Sequence, residues 1–205
     1  MEIYIVRHGK TVWNAAGLLQ GSVDIELNEA GRELAGRTGE NLESISFDKI
    51  YSSPLIRAYE TACLIRGHRN IPIIRDERLK ELCFGVNEGK NFKELLADET
   101  NNFHYFFDRP ELYQAPEGGE DFETISKRAA KFMQEVIEPQ ADKLSRIMIV
   151  GHGALNKALM RHVRKNELQD YWAGGLQKNC SVSIIEYEGG QYQILEEGKL
   201  FYHIQ

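Results

Sequence analysis

Two short runs in this chain share a pattern, a histidine followed by glycine at the end of an apolar stretch. They are Arg7-His8-Gly9 and Gly151-His152-Gly153. Arg57 follows Ser52-Ser53-Pro54, and Glu81 and Glu88 bracket Leu82-Cys83-Phe84-Gly85-Val86-Asn87. Brought together, these residue types can move a phosphoryl group. Arginine presents a rigid fork of donors matched to phosphate oxygens. Two arginines would hold the group and offset its charge as it transfers. A neutral imidazole can attack phosphorus while a second donates to an equatorial oxygen. A glutamate can protonate the leaving oxygen and then activate water. Glycine after each histidine would let a ligand approach the backbone closely. No metal or other cofactor is required, since cationic side chains supply the charge a magnesium ion would otherwise bring.

Each residue alone has a plainer explanation. A histidine at a strand end is more often structural, and an arginine in a helix's first turn is usually just solvated. The argument therefore rests on the elements that place them. Ile3-Tyr4-Ile5-Val6, Phe47 to Ser52, Ile71 to Arg75 and Ile147 to Val150 read as strands. Asn28 caps a helix beginning at Glu29. Pro54 opens a helix through Ile65, as proline suits the first helical position. Further helices are expected over Ile125 to Val136 and from Gly153 to about Val163. Ser181 to Tyr187 and Gln191 to Leu195 flank Gly189-Gly190 and read as an edge hairpin.

Strand and helix alternate, which predicts an α/β fold. The expected form is a three-layer α/β/α sandwich with a mainly parallel central sheet. Ligands of such sheets bind beyond the carboxyl ends of the strands. His8, His152, Arg57 and Glu81 all follow strands, so one sheet edge should collect them. The chain is expected to form a single domain over 1–205, with a lid inserted at about 88–124.

Composition limits the partners. Acidic residues outnumber basic ones, 31 to 25, so nucleic acid is not expected as a ligand. No apolar run reaches the roughly 18 residues of a membrane span. The amino terminus lacks the basic start and cleavage site of a signal peptide. Cys63, Cys83 and Cys180 contain no CxxC pair, which fits reduced thiols in the cytoplasm. Oligomeric state cannot be read from these features. His68, His104, His162 and His203 show no metal-ligand spacing.

Longer motifs sharpen the reading. Ile5-Val6-Arg7-His8-Gly9-Lys10-Thr11-Val12-Trp13-Asn14 resembles the opening signature of the histidine phosphatase superfamily, in its phosphoglycerate mutase-like branch. Gln20-Gly21, Asp24, Leu27-Asn28-Glu29-Ala30-Gly31 and Ser52-Ser53-Pro54-Leu55-Ile56-Arg57-Ala58 follow in that branch's order. So do Glu81 to Gly89, Gly151-His152-Gly153 and Asn179-Cys180-Ser181-Val182. The resemblance implies that His8 becomes a phosphohistidine and that Glu81 is the proton donor. It implies that Arg7, Arg57 and His152 bind the phosphoryl group, with Asn14 and Gln20 as further contacts. The expected partner is a small-molecule phosphomonoester. Lys10 departs from the pattern, standing where the branch usually has Glu or Gln. That change leaves the chemistry intact and bears on pocket charge and specificity.

A phosphatase and a mutase share this chemistry. The branch's mutases carry an inserted segment with adjacent arginines that grip a substrate carboxylate, and this chain has no such pair there. Between Glu94 and Thr124 it has nine acidic residues against a single arginine, Arg109. If that segment faces the pocket it should repel highly anionic substrates. Hydrolysis of a monoester with a neutral or weakly charged leaving group is therefore favoured. The segment's aromatic residues (Phe92, Phe103, Tyr105, Phe106, Phe107, Tyr113 and Phe122) should mostly pack it onto the sheet, with one or two touching the leaving group. Alternative readings are a phosphoglycerate mutase-type transferase and a non-catalytic protein that binds phosphorylated ligands. The complete set of His8, Arg7, Arg57, Glu81 and His152 argues against the latter. Cys63 and Arg69 have the C-x5-R spacing of cysteine-dependent phosphatases, but Cys63 falls inside a helical stretch and is expected to be a buried core thiol.

Overall fold

The apolar runs become strands because they can be covered on both faces. The structure, a computed structural model, describes residues 1–202; His203 lies outside them. The strands are β1 (Glu2–Arg7), β2 (Lys49–Ser52), β3 (Ile73–Arg75), β4 (Arg146–Gly151), β5 (Val182–Glu188) and β6 (Gln191–Lys199). They form one sheet in the order β3-β2-β4-β1-β5-β6. The first four strands in that order run parallel, and the hairpin β5–β6 joins β1 antiparallel at the far edge. The expected edge hairpin is thus present, with β6 reaching Lys199.

The helices are α1 (Val12–Ala16), α2 (Glu29–Asn41), α3 (Ile56–Arg66), α4 (Phe92–Ala97), α5 (Tyr105–Asp108), α6 (Phe122–Phe132) and α7 (Gly153–Arg164). Side chains alternate across a strand, and β1 shows how this builds two cores. Ile3 and Ile5 pack with Ile147 and Ile149 against α6 and α7. Tyr4 and Val6 pack with Met148 and Val150 against Ala58, Ala62 and Ile65 of α3. Helices therefore cover both faces of a mostly parallel sheet, the expected three layers. α2 lies on α3 through Gly39, where an added Cβ would stand 2.8 Å from the Ile65 carbonyl oxygen.

Two helix boundaries differ from the sequence expectation. α3 starts at Ile56 with Leu55 as its cap, so Pro54 stands outside the helix instead of opening it. The Asp24 carboxylate, from a distant segment, accepts from Ile56 N at 2.7 Å and sets the start. The helix expected over Ile125 to Val136 begins at Phe122, where Asp121 accepts from Thr124 N. It widens into a π turn over Met133–Ile137. That turn precedes Pro139, whose ring would crowd the Glu135 carbonyl in a regular α-helix.

Candidate active site

Parallel pairing sets three strand ends level. Val6 pairs with Val150, Arg7 with Gly151, and Ser52 with Val150. The ladder continues one step past the strands. His8 N donates to the Gly151 carbonyl and Ser53 N to the Val150 carbonyl, each at 3.0 Å. β4 thus lies between β1 and β2 and brings His152 beside His8. Their ring centroids are 5.1 Å apart.

His8 is buried. Its Nδ1 stands 2.7 Å from the Gly9 carbonyl oxygen. A carbonyl can only accept, so Nδ1 carries the proton and Nε2 keeps its lone pair. Burial, then the charges of Arg57 and Arg7, hold His8 well below the usual histidine range. His152 is lowered in the same way by burial, then by Arg57 and His8. Both rings are therefore neutral in the folded protein near pH 7.

The arginines are gripped by carbonyls. Arg57 is fully buried, and its two terminal nitrogens donate to Val23 O (2.9 Å) and Gly21 O (2.6 Å). Arg7 donates from Nη1 to Gln177 O. Burial brings Arg57 down to about 10 and also lowers Arg7. Among the described residues neither forms an ion pair, and the Nε of each has no partner. Both ring nitrogens of His152 and Nε2 of Gln20 are likewise buried without partners. Gln20 Oε1 is fixed by Thr11 Oγ1 at 2.6 Å. Buried charges and donors left unpaired are costly. A cluster of them around His8 is a site made for an anion.

Glu81 sits across the helix start that follows His152. Its carboxylate accepts from Leu82 N, Leu155 N and Ala154 N at 2.9, 2.9 and 3.1 Å. The last two belong to the first turn of α7, where partial positive charge favours a carboxylate. Arg128 fixes the preceding backbone by donating to the carbonyls of Arg78, Lys80 and Glu81. The two site glycines differ in purpose. A Cβ on Gly153 would lie 3.1 Å from Leu176, 3.6 Å from Glu81 and 3.8 Å from Arg7, so this glycine lets those three side chains close around the start of α7. A Cβ on Gly9 would lie 2.6 Å from Gly31 O. Gly9 is small for packing against α2, not for a ligand as its place in the sequence suggested.

A cavity of about 220 Å³ opens beside these groups. Arg7, His8, Asn14, Gln20 and Glu81 line it. Arg57 and His152 are fully buried and do not reach its surface. Lys10 does not line it either, so the change from the resemblance pattern falls outside the pocket. The remaining wall is apolar: Phe84, Phe92, Phe106, Phe107, Trp172 and Leu176. None of the nine acidic residues of the 94–124 segment lines the cavity, and seven of them are exposed. The expectation of an acidic lid repelling anions fails on geometry, since the segment turns its rings inward and its carboxylates outward. Most of the rings serve packing, as expected: Phe103, Phe106, Tyr113 and Phe122 are buried in the core.

The cysteines stand apart from this chemistry. Cys63 lies in α3 and is half-buried, not the buried core thiol expected, and the Arg69 guanidinium is spent on the Leu42, Ile45, Ile65 and Arg66 carbonyls. Cys83 Sγ contacts Ser22 Oγ and Gly118 O and does not line the cavity. Among the described residues no group of three or more His, Cys, Asp or Glu could hold a metal ion. No helix among the described residues is long and apolar enough to cross a membrane. Three further contributors lie outside the sequence motifs: Gln177, Arg128 and Trp172. Tyr171-Trp172 followed by Ala173-Gly174-Gly175 offered a signal, two large rings beside a flexible turn.

Comparison with known proteins agrees with this geometry. The family model described as "Histidine phosphatase superfamily (branch 1)" matches residues 3–199. A metal-independent phosphoserine phosphatase of Arabidopsis thaliana is 31% identical, over 90% of this chain and 75% of the relative. A 2,3-bisphosphoglycerate-dependent phosphoglycerate mutase of Cytophaga hutchinsonii is 34% identical, over 82% of this chain and 79% of the relative. The solved structure of Bacillus stearothermophilus YhfR is 37% identical with a TM-score of 0.88, covering 96% of both chains. With a matching family model across nearly its whole length and paired histidines at level strand ends, the chain belongs to branch 1 of the histidine phosphatase superfamily.

Proposed function

We propose that this protein hydrolyses small phosphomonoesters through a phosphohistidine on His8, without a metal ion. It is a phosphoric monoester hydrolase of its family, and the roles below are our assignment to its residues. The carrying observation is the set of buried, unpaired donors on Arg7, Arg57, His152 and Gln20 around the free Nε2 of His8. A phosphoryl group seated against His8 would take donors from Arg7 and Gln20 at the cavity wall and from Arg57 and one nitrogen of the neutral His152 ring beneath it, which favours the charge developing in transfer.

His8 Nε2 attacks phosphorus as the bond to the ester oxygen breaks. Glu81, which takes up a proton as the anionic ester binds beside it, gives that proton to the ester oxygen, and the neutral alcohol leaves. Water then attacks the phosphohistidine and passes a proton to the Glu81 carboxylate. The P–N bond breaks, inorganic phosphate departs, and His8 and Glu81 return to their starting states. Arg7, Arg57 and His152 hold the oxygens throughout, with Asn14 and Gln20 at the cavity side. We read the chain as one catalytic domain whose 88–124 segment lies over the cavity as a lid. We place it in the cytoplasm on its three free cysteines. We do not assign it a nucleic-acid partner. The phosphatase reading is preferred to the mutase one because the lid carries no adjacent arginines.

The test is hydrolysis of p-nitrophenyl phosphate in EDTA near pH 6 by the wild type and by His8→Ala. Metal-independent activity that vanishes in the variant is expected. Activity surviving His8→Ala would refute the assigned nucleophile. Isomerisation of 3-phosphoglycerate with a bisphosphoglycerate primer, in the absence of hydrolysis, would mean a mutase.

A further inference from the structure

The catalytic steps use one side of the cavity and leave its apolar wall unexplained. Most of that wall comes from two parts of the chain. Phe92, Phe106 and Phe107 come from the lid, and Trp172 and Leu176 come from the turn after α7. Trp172 links them. Its indole N–H donates to the Phe106 carbonyl at 2.6 Å. Its ring lies 5.1 Å from the Phe106 ring and 4.8 Å from the Phe107 ring, centre to centre.

The backbone on either side of Trp172 is tied down. Tyr171 donates its hydroxyl to the Ala154 carbonyl at 2.8 Å, beside one of the amides that hold Glu81. Lys157, buried on α7, donates to the Ala173 carbonyl at 2.8 Å and pairs with Glu197. Trp172 is therefore a fixed wall and also one of the tethers of the lid. A rigid aromatic wall favours flat apolar groups at low entropic cost.

Charge points the same way. Among the described residues Arg7 is the one cationic side chain lining the cavity. It is already committed to the Gln177 carbonyl and to the phosphoryl group. A carboxylate on the leaving alcohol would meet rings without a cation to pair with it.

We propose that the cavity selects phosphomonoesters whose alcohol is flat and apolar, discriminates against alcohols bearing a carboxylate, and uses Trp172 as the specificity-determining residue. This rests on the phosphohistidine-hydrolase reading for turnover, though not for binding.

The test compares 2-phenylethyl phosphate with O-phospho-L-serine, both esters of alkyl alcohols, by kcat/KM in EDTA. Titration calorimetry compares the corresponding non-hydrolysable phosphonates, one arylalkyl and one amino acid. We expect the aryl ester to be preferred by about 100-fold and the aryl phosphonate to bind at least about tenfold tighter. Trp172→Leu should raise KM for the aryl ester about tenfold while kcat falls less than about threefold. Trp172→Phe keeps a ring and should recover most of the loss in KM. Tighter binding of the aryl phosphonate without turnover of either ester would sustain the selectivity and sink the hydrolase reading. Equal phosphonate affinities, or better turnover of phosphoserine, would overturn the selectivity and leave the hydrolase reading intact. A Trp172→Leu protein with unchanged KM would remove Trp172 from the role.

Discussion

Lowering the pH should destabilise this fold through the two histidines of its site. An unfolded histidine takes up a proton near pH 6.5. His8 and His152 cannot do so in the folded protein, because each is buried and faces Arg57 and Arg7. Below about pH 6.5 the unfolded chain therefore binds more protons, and stability falls as the pH falls. Above that pH both states hold neutral rings and the effect is absent. A histidine that takes up no proton in the folded state over that range loses, by linkage, at most about 2 kcal/mol between pH 7 and pH 5, or about 4 kcal/mol for the two rings. Carboxylates contribute over the same range, so the informative quantity is a difference. His8→Asn keeps a polar side chain and does not titrate. Wild type should lose about 2 kcal/mol more than His8→Asn between pH 7 and 5, measured by urea unfolding in phosphate-free buffer. Equal losses would refute the claim that His8 is buried neutral. The same burial bears on catalysis. A nucleophile kept neutral in acid should show no loss of kcat/KM through pH 6.5, and its acid limb should lie lower.

Three other substitutions probe separate parts of the account. Glu81→Gln should slow phosphorylation of His8 by an alkyl phosphate roughly 10²–10⁴-fold. With p-nitrophenyl phosphate that step should suffer far less, since nitrophenolate leaves without a proton; rapid quench resolves it, and equal losses would deny Glu81 the acid role. Glu88 receives Ser22 N and Val23 N, both at 2.8 Å, and so shapes the turn whose Gly21 and Val23 carbonyls grip Arg57. Burial raises its pKa, but these backbone hydrogen bonds prevail and hold it low. Glu88→Gln should weaken inhibition by inorganic phosphate along with kcat/KM, about tenfold each on the scale of one lost charge-assisted hydrogen bond, whereas unchanged phosphate inhibition would exclude this positioning role. Glu197→Gln would strand the buried Lys157 ammonium. It should cost about 3 kcal/mol in denaturant unfolding, the low end for a broken buried pair because Glu197 keeps some exposure; a change under about 0.5 kcal/mol would show the pair to be dispensable.

The centre of the fold was readable because its strands are pure apolar runs, and β1 and β4 each deliver a histidine at the following residue. The sequence cannot display that these ends are level. That follows from β4 lying between β1 and β2, a matter of long-range pairing. Pro54 misled because the start of α3 is set by Asp24, some thirty positions away along the chain. The acidic lid misled for a related reason. A tally of charges has no direction, while short helices packed on a core send rings inward and carboxylates to water. Gly9 looked like a ligand-facing glycine until α2 was in place. Trp172 and Gln177 lie in a stretch without periodicity, where neither strand nor helix patterning draws attention. Their importance comes from contacts with Phe106 and Arg7, far off in sequence.

The central claim is that His8 carries the phosphoryl group. Acid-labile phosphohistidine is best sought by quenching the wild type into base during turnover of p-nitrophenyl phosphate in EDTA and mapping the modified peptide by mass spectrometry. One phosphoryl group on His8, formed at the rate of the nitrophenol burst and absent from His8→Ala, is the expected result. Turnover with no phosphorylated peptide, or with the group on another residue, would contradict the account.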